Sequence, residues 1–285
     1  MKGIVLAAGK GTRLYPMTKP VCKPLLPVYD KPLIYYPISV LMQAGISDIM
    51  VIISVGEEKT IRALLGDGSQ YGIHISYATQ PVARGIADAL LIGREFVGED
   101  QVCLVLGDNI FYDPTLPAAL KQAAAQKSSA TVFGYWVEDP RPFGVVEFDE
   151  NGRAISIEEK PHHPKSNYII PGLYFYDNQM MDIAANLRPS ARGELEITDV
   201  NLEYLNRNQL QVVPLSKNFT WLDAGSADSL LQAVETIRKI QEDTGRYVGC
   251  LEELGFNEGW VDAEQVHAIG EELKMTLYGQ YLRCL

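Results

Sequence analysis

The chain has 285 residues, of which 47% are hydrophobic and 21% are charged, and its formal net charge at pH 7 is −11. These proportions are typical of a globular protein with one large or two modest domains, and they exclude a disordered, collagen-like or coiled-coil chain. Because an acidic protein is repelled by nucleic-acid phosphates and by anionic membranes, we expect neither as a partner.

The sign of the charge is inverted at the amino terminus. Residues 1–31 contain a single acid, Asp30, and carry a local charge of +5, which leaves −16 on the rest of the chain. The cations of this segment are Lys2, Lys10, Arg13, Lys19, Lys23 and Lys31. Such a local excess favours a site that binds an anion.

Two further patterns indicate where the protein works. The four cysteines lie at no spacing typical of a zinc site or a disulfide framework. The apolar stretch at residues 3–8 is too short for the core of a signal peptide, and no run of about 18 apolar residues occurs. We therefore expect a cytoplasmic protein with reduced thiols.

The first half of the chain alternates apolar strands with helices. The pattern predicts strands over residues 3–8, 48–54, 73–77 and 102–106, and helices over 33–44, 57–65 and 86–96. Continuous apolar runs are typical of parallel strands that are buried on both faces. The alternation therefore predicts a doubly wound parallel sheet.

The second half has a different pattern. Alternating strands are predicted over residues 130–137, 144–148, 154–158 and 169–176, with a hairpin turn at 150–152 and a long helix over 226–243. The tail has a helical pattern, and Asp262 and Gln265 stand in the relation of a capping box. No linker separates the halves, so we expect them to share one mixed sheet.

A glycine turn, Gly9-Lys-Gly11, follows the first strand. It fits neither the Walker A loop, which needs Ser or Thr after Gly-Lys, nor the dinucleotide fingerprint, which needs Gly where Leu14 stands. The backbone amides of such a turn can approach a phosphate or a base. An ordinary tight turn is the alternative, but the local positive charge, with Arg13 and Lys23 close by, favours anion binding.

Two aspartates follow apolar stretches. Asp108 comes just after the strand at 102–106, and Asp223 precedes the long helix. A carboxylate at the carboxyl end of a buried strand lies where open α/β sheets bind ligands. Magnesium needs only one or two carboxylates and takes its other ligands from phosphates and water. The alternative is that each aspartate caps the helix after it.

Eight short motifs, taken in order, resemble those of the sugar-phosphate nucleotidylyltransferases. They are LAAGKGTRL (6–14), KPLLPVYDKP (23–32), LLGDG (64–68), GDNIFY (107–112), GVVEF (144–148), EKP (159–161), GELEITDVN (193–201) and WLDAG (221–225). The likeness is closest to family members that join a thymidylyl group to glucose 1-phosphate, and it extends through YGQYL at 278–282.

The resemblance implies a glycosyltransferase-A-like, Rossmann-like nucleotidyltransferase core. This is an α/β fold with a doubly wound, mostly parallel mixed sheet, an antiparallel sugar-binding section and a C-terminal helical segment. The implied nucleotidyltransferase domain covers residues 1–244, with a nucleotide-binding half at 1–127 and a sugar-phosphate-binding half at 128–244. Residues 245–285 would then make oligomer or regulatory contacts.

The resemblance also implies an activity and its partners. The reaction would convert dTTP and α-D-glucose 1-phosphate to dTDP-glucose and pyrophosphate with Mg²⁺, for a dTDP-rhamnose or other deoxysugar pathway of polysaccharide biosynthesis. It implies a homotetramer that is inhibited by a downstream dTDP-sugar at a second nucleotide site.

Site residues can be assigned by their positions in the motifs. The implied nucleotide-binding residues are Ala8, Gly9, Gly11, Thr12, Arg13, Lys23, Gln80, Gly85 and Asp108, with Gln80 and Gly85 at the thymine edge. The implied sugar-phosphate-binding residues are Asn109, Gly144, Glu158, Lys160, Tyr174, Arg192 and Glu194. Asp108 and Asp223 would bind magnesium. The implied catalytic set is Arg13, Lys23, Asp108, Lys160, Arg192 and Asp223.

Four positions depart from the family pattern. Ala83 stands where Pro is common, Phe143 where Tyr is common, and Ala224 and Ser226 where Thr is common. Ala83 bears on the choice between thymine and uracil, and Ala224 and Ser226 flank an expected metal ligand. None of them removes a charge, so the expected activity stands.

Two alternatives remain open. A sibling enzyme could use UTP or another hexose 1-phosphate, because a pocket reads one methyl group with only ~1–3 kcal/mol. A non-catalytic, nucleotide-sugar-binding regulatory subunit would keep the fold without turnover, but the retained charges at Asp108, Asp223, Lys160 and Arg192 argue against it.

Overall fold

The computed structural model describes residues 1–285. Its strands are β1 (Lys2–Leu6), β2 (Pro27–Val28), β3 (Lys31–Pro32), β4 (Asp48–Ser54), β5 (His74–Gln80), β6 (Val102–Leu106), β7 (Asn109–Tyr112), β8 (Ala130–Trp136), β9 (Gly144–Phe148), β10 (Ala154–Glu159), β11 (Tyr168–Ile169), β12 (Leu173–Tyr176), β13 (Leu210–Pro214) and β14 (Thr220–Asp223). Its helices are α1 (Tyr35–Gln43), α2 (Glu58–Leu65), α3 (Asp88–Ile92), α4 (Arg94–Val97), α5 (Leu116–Ala124), α6 (Met180–Asn186), α7 (Ile197–Asn206), α8 (Ala227–Thr244), α9 (Leu251–Asn257), α10 (Ala263–Glu272) and α11 (Leu277–Leu282).

Ten strands form one sheet in the order β10-β9-β11-β8-β12-β6-β1-β4-β5, with β13 paired to β8. Strands β6, β1, β4 and β5 are parallel neighbours, as their continuous apolar runs predict. Strand β12 lies antiparallel to β6 and joins the second half of the chain to the first. The prediction of one mixed α/β sheet shared by both halves is confirmed.

Apolar layers cover both faces of this sheet. Because successive strand residues point to opposite faces, Val5 and Val105 belong to one buried cluster, and Ile4 and Leu104 belong to another. Residues of α1 pack in the first cluster and residues of α6 and α7 pack in the second. The doubly wound arrangement therefore follows from strands that are apolar on both sides.

Three predicted elements differ in extent. The strand expected over 169–176 is divided into β11 and β12 around Pro171, which has no N–H to donate to a sheet. The helix expected over 86–96 is divided into α3 and α4 at Gly93, the weakest helix former in the segment. The strand expected over 3–8 ends at Leu6, so Ala7 and Ala8 belong to the loop.

Several elements were not predicted. They include β7 and β13, whose partners lie far away in the sequence, and helices α5, α6 and α7. Short strands of four or five residues carry too little alternation to be recognised without their partners.

The C-terminal helices pack beside a buried lysine of the first half. The Lys31 ammonium lies 2.6 Å from Asp30 Oδ1 and 3.2 Å from Gln241 Oε1. It also lies over the rings of Tyr36, Tyr247 and Tyr278, at 5.5, 5.3 and 5.7 Å from their centroids. Burial lowers the pKa of Lys31, and Asp30 opposes this shift. Lys31 thus holds the tail against the β2–β3 hairpin.

The tail itself is helical, as predicted. The Asp262 carboxylate accepts a bond from Gln265 N at 2.9 Å, and the Gln265 side chain accepts one from Asp262 N at 3.1 Å. This capping box at the start of α10 confirms the sequence prediction. No helix of the chain combines the length and apolar composition needed to cross a membrane.

Strands β1 and β6 end in a contact for which only glycine has room. Gly107 N donates to the Leu6 carbonyl at 2.8 Å. A Cβ at Gly107 would lie 2.8 Å from Ala7 Cα and 2.9 Å from Leu6 O, which are both backbone atoms. The contact therefore sets the distance between the loop after β1 and Asp108, the residue after Gly107.

The Gly107→Ala variant is expected to lose about 1–3 kcal/mol of stability, the range for overpacking a well-packed site. Urea denaturation followed by circular dichroism measures this loss. Gly134→Ala in β8 is the matched control, because its Cβ would meet only side-chain atoms of Phe148 and Val212, at 3.3 and 3.4 Å. Equal midpoints for the two variants would show that the close approach is not a constraint.

Candidate active site

A cavity of about 310 Å³ opens at the carboxyl ends of β1 and β6. Its lining includes Ala8, Gly9, Gly11, Thr12, Arg13, Lys23 and Asp108. The structure thus brings together seven of the nine residues expected to bind nucleotide, at the edge where open α/β sheets bind ligands. We call it the first cavity.

Side chains on two sides hold the glycine turn. Gly9 N donates to Ser54 Oγ at 3.0 Å, at the end of β4. Thr18 Oγ1 donates to the Gly11 carbonyl at 2.7 Å. Gly11 has a left-handed backbone with φ of 57°, and a Cβ there would lie 3.1 Å from Thr18 Cγ2. The turn is therefore shaped before any ligand arrives.

Only part of the amino-terminal positive charge reaches this cavity. Lys2 pairs with Asp48 at 2.5 Å, at the amino ends of β1 and β4, and Lys31 is buried in the cluster described above. Arg13 and Lys23 are the cations of residues 1–31 that line the cavity.

The pairing of β7 with β14 brings Asp108 and Asp223 together. Asn109 lies opposite Asp223 in the antiparallel register, and Ala224 N donates to the Asp108 carbonyl at 3.1 Å. Two aspartates that are distant in the sequence thus become neighbours at one edge of the sheet.

The two neighbouring carboxylates repel each other, and nearby cations offset this repulsion. Burial, and then the charge of Asp108, raise the pKa of Asp223, whereas Lys23 and Arg13 act in the opposite direction. The Lys23 ammonium is paired directly with the Asp108 carboxylate. No group of three or more His, Cys, Asp or Glu side chains forms a metal cage anywhere in the chain. The two carboxylates alone suit Mg²⁺, which takes its remaining oxygen ligands from phosphates and water.

A second cavity, of about 240 Å³, adjoins the first and shares Arg13, Ile86, Leu106 and Asp108 with it. Its lining includes four residues expected to bind sugar phosphate, which are Asn109, Gly144, Lys160 and Tyr174. It continues into a wider cleft lined by Arg13, Lys160, Arg192 and Asp223, among others. Arg13 therefore lies where the cavities meet.

Tyr174 presents a hydroxyl group to the second cavity. Its ring on β12 is 3% exposed and stacks on Tyr176, with 6.1 Å between the centroids. The Tyr176 and Tyr204 hydroxyls bond to other side chains, whereas that of Tyr174 is left for a ligand. Burial, and then the charge of Glu159, raise the pKa of Tyr174. The phenol therefore stays protonated and can donate.

Glu159, rather than the expected Glu158, reaches the second cavity. Glu158 pairs instead with Lys165 at 2.7 Å. Glu159 accepts a hydrogen bond from Thr198 Oγ1 at 2.5 Å. Residues two apart on a strand share a face, and Ile157 on the face of Glu159 is buried. This two-residue period is the sequence signal that places Glu159, rather than Glu158, on the face of the strand that lines the second cavity.

Lys160 adopts an unusual backbone conformation at the end of β10. Its φ of 44° lies in the left-handed region, which is uncommon for a residue with a side chain. Its amide donates to the Phe143 carbonyl at 3.0 Å, and its ammonium lies 3.4 Å from Glu159 Oε1. Such strain is typical of positions where a side chain must be aimed at a ligand.

Arg192 is held by acidic side chains. Its guanidinium contacts both Glu196 carboxylate oxygens, at 2.9 and 2.8 Å, and Glu194 at 3.0 Å. Glu159 lies 3.4 Å away. Glu194, which was expected at the sugar, therefore contacts Arg192 in this structure. Glu196 was not predicted, although it lies four residues after Arg192, within reach of the same turn.

Asn109 uses its amide within the protein. Its Nδ2 donates to Asp108 Oδ1 at 2.8 Å, and its Oδ1 accepts from Trp221 Nε1 at 2.6 Å. Asn109 thus orients an expected metal ligand. The sequence gives Trp221 no role beyond its place in the WLDAG motif, yet it lines the second cavity and packs edge-on against Phe143, with 5.4 Å between the centroids.

Gln80 and Gly85 do not line either cavity. Gln80 ends β5 next to Ser54 of β4, whose hydroxyl holds the glycine turn. Its amide nitrogen donates to Asp88 Oδ2 at 2.9 Å and lies 3.4 Å from the Gly85 carbonyl. The two residues therefore lie one strand beyond the turn, beside the first cavity.

Three of the four positions that depart from the family pattern can now be located in the structure. Ser226 caps α8, where its hydroxyl accepts a bond from Ser229 N at 3.2 Å. Ala224 is fully buried beside Asp223, and Ala83 is exposed in the loop after β5. Ser226 thus supplies the capping oxygen that Thr would supply.

Comparison with known proteins identifies the family of the chain. The chain matches the family model for nucleotidyl transferases over residues 2–240. It is 54% identical over 282 residues to a glucose-1-phosphate thymidylyltransferase of Neisseria meningitidis serogroup A, and the match covers 99% of this chain and 98% of that relative.

Solved structures show the same fold. A Bacillus anthracis crystal structure described as a glucose-1-phosphate thymidylyltransferase in complex with sucrose has a TM-score of 0.77 and 43% identity, and the match covers 84% of this chain and 95% of that one. A UDP-glucose pyrophosphorylase complexed with UDP-glucose has a TM-score of 0.73 at 24% identity, with 84% and 98% covered, which is a likeness of fold alone. The chain therefore belongs to the nucleotidyl transferase family, as the resemblance of its motifs predicts.

Proposed function

We propose that the chain transfers a thymidylyl group from dTTP to α-D-glucose 1-phosphate with Mg²⁺, forming dTDP-glucose and pyrophosphate. Relatives named for this activity are about half identical to the chain over nearly its full length, which supports the proposal. The observation that carries it is the junction of the two cavities at Arg13 and Asp108, where two anionic substrates can meet.

The two cavities come from the two halves of the chain. Residues 1–127 supply most of the first cavity, where the Gly9 and Gly11 turn would receive the triphosphate and Arg13 and Lys23 would neutralise it. Gln80 and Gly85, beside this cavity, would hold the thymine edge. Residues 128–244 supply most of the remaining wall of the second cavity.

On the sugar side, the groups are suited to a hexose phosphate. The Tyr174 hydroxyl and the Glu159 carboxylate line the cavity and can form hydrogen bonds with sugar hydroxyls. Gly144 lines the same cavity and has no side chain, so a sugar can approach its backbone. Lys160 and Arg192 would hold the phosphate. Arg192 would exchange part of its contact with Glu194 and Glu196 for that phosphate.

The chemistry needs no protein base. A phosphate oxygen of the sugar phosphate attacks the α-phosphorus of dTTP in line, and pyrophosphate leaves. The nucleophile is already an anion, so catalysis consists of holding two polyanions in position. At 4 Å, two like unit charges repel by roughly 4 kcal/mol at an effective dielectric near 20, so the cations around the site must offset this repulsion.

Asp108 and Asp223 would hold the magnesium ion. Bound there, the ion would offset the charge that develops on the phosphate oxygens. Asn109 keeps the Asp108 carboxylate oriented through its bond to Oδ1 at 2.8 Å. Lys23, now paired with Asp108, would turn to the phosphates.

We further propose that the enzyme is a cytoplasmic homotetramer whose tail makes subunit contacts. Met275 and Leu277 in the tail are 90% and 75% exposed, which supports an apolar contact there.

A third cavity fits the expected regulatory nucleotide. It measures about 390 Å³ and is lined by Tyr112, Arg246, Tyr247 and Glu253, among others. The aromatic rings can stack on a base, and the guanidinium can form charged hydrogen bonds with a diphosphate. Strand β7 runs from the second cavity at Asn109 to this one at Tyr112, so a dTDP-sugar bound here would touch the strand that follows Asp108.

A substrate matrix tests the activity. Pyrophosphate release is measured for each pair of nucleoside triphosphate and sugar 1-phosphate, with and without Mg²⁺. We expect dTTP with glucose 1-phosphate to give the highest kcat/KM. Preference for UTP would favour the sibling enzyme, and release with no pair would favour the non-catalytic regulatory subunit.

The Asp108→Asn variant is expected to lose at least about 10²-fold in kcat, the scale for removing one charge-stabilising group from an active site. Steady-state kinetics over a range of Mg²⁺ concentration measure the loss. Asp243→Asn on the exposed end of α8 is the control for a lost carboxylate. Full activity in Asp108→Asn would place the metal elsewhere.

The Arg246→Ala variant is expected to raise the concentration of dTDP-rhamnose that half-inhibits turnover by about tenfold. The loss of one hydrogen bond to a charged group weakens binding by about that factor. An inhibition titration at fixed dTTP measures this change. Arg238→Ala, on an exposed stretch of α8, is the control. Unchanged inhibition would remove the third cavity as the regulatory site.

A further inference from the structure

The amide of Gln80 is held in one orientation by a buried aspartate. Gln80 is 6% exposed and Asp88 is 1% exposed. Gln80 Nε2 donates to Asp88 Oδ2 at 2.9 Å, and its second contact, to the Gly85 carbonyl, is longer at 3.4 Å. Both partners of the NH₂ group are acceptors, so its two hydrogens are directed into the protein.

The chemistry of Asp88 makes this orientation obligatory. Arg84 Nη2 lies 2.9 Å from Asp88 Oδ1, so the aspartate is part of an ion pair. An ionised carboxylate only accepts hydrogen bonds. If the Gln80 amide were turned over, its carbonyl oxygen would face that carboxylate with no hydrogen between them. Such an unsatisfied contact inside the protein is costly.

The consequence is that the Gln80 carbonyl oxygen, Oε1, accepts no hydrogen bond within the protein. Gln80 ends β5 next to Ser54, which bonds to the glycine turn, and Ile86 of the same loop lines both cavities. In the proposed function Gln80 lies at the thymine edge, so a base attached to a triphosphate in the first cavity would meet an acceptor at this position. The orientation of one amide decides whether the site offers an acceptor or a donor.

We propose that Asp88 is a positioning residue that selects the nucleobase, by fixing the Gln80 amide with its carbonyl toward the base. Thymine and uracil carry a hydrogen on N3 and can donate it to this carbonyl. Cytosine has a lone pair at N3, which would face the carbonyl oxygen and be repelled. Asp88 thus excludes dCTP without touching it. This inference rests on the proposed function and deepens it.

The Asp88→Asn variant tests this role with little change of shape. An Asn side chain can donate through its NH₂ group, so the Gln80 amide can turn over and offer its own NH₂ group to cytosine N3. Asp88→Ser is a second variant, since a hydroxyl group also both donates and accepts. The longer contact of Gln80 with Gly85 opposes the turnover only weakly.

Competition between dTTP and dCTP for glucose 1-phosphate gives the readout. The two products are separated by anion exchange, and their ratio reports the ratio of kcat/KM values whatever fraction of the variant is folded. We expect the preference for dTTP over dCTP to fall at least tenfold in Asp88→Asn and Asp88→Ser. We also expect KM for dTTP to rise while kcat stays within a few-fold.

Asp177→Asn is the matched control. Asp177 is 5% exposed and also accepts a bond from a glutamine, Gln179 Nε2, at 2.8 Å, but it lines neither of the two cavities. Its loss is expected to lower stability without changing the preference between the two nucleotides. A merely structural role for Asp88 predicts the same behaviour.

The outcomes separate this inference from the function beneath it. If the parent enzyme makes no dTDP-glucose, the proposed function fails. If the parent discriminates strongly and both Asp88 variants keep the same preference, the function stands and the positioning role of Asp88 is overturned. A reduced preference in the Asp88 variants with an unchanged preference in Asp177→Asn supports the role.

Discussion

Mutual repulsion between negative charges is the constraint on which this site depends. Two anionic substrates would meet two neighbouring carboxylates, Asp108 and Asp223, in a protein whose net charge is −11. Burial, and then the charge of the neighbouring Asp108, raise the pKa of Asp223. The fold offsets this repulsion with cations from both halves of the chain. Arg13 and Lys23 line the first cavity, and Lys160 and Arg192 line the cleft that adjoins it.

The residues that sequence reasoning located best follow directly from a strand end. A buried apolar run that stops at glycine must end in a turn, and the carboxyl ends of parallel strands meet at one edge. The sequence alone therefore predicts that the glycine turn and Asp108 lie in one site. The local charge of +5 pointed to the same place, although only Arg13 and Lys23 of its six cations line the cavity.

The rest depends on contacts that a single sequence does not display. Asp223 reaches Asp108 through the pairing of β7 with β14, two short strands far apart in the chain. Asn109 bonds Trp221 and Asp108 rather than leaving its amide free, because those partners surround it in the fold. The position of Glu159 is a different case. The two-residue period of a strand is visible in the sequence, and it predicts that Glu159 rather than Glu158 faces the second cavity.

Two of the cations that are proposed to hold phosphate are paired with carboxylates in this structure. Lys23 pairs with Asp108, and Arg192 with Glu194 and Glu196. An unpaired charge that is partly buried is costly, whereas a paired one is kept in place and oriented. In the proposed function, substrate binding would exchange one anionic partner for another at these two cations, so little new order would have to be created when the phosphates arrive. The same argument applies to Gln80. A buried acceptor, Asp88, orients the Gln80 amide before a base is present, so the proposed selection of the nucleobase needs no rearrangement when the nucleotide binds.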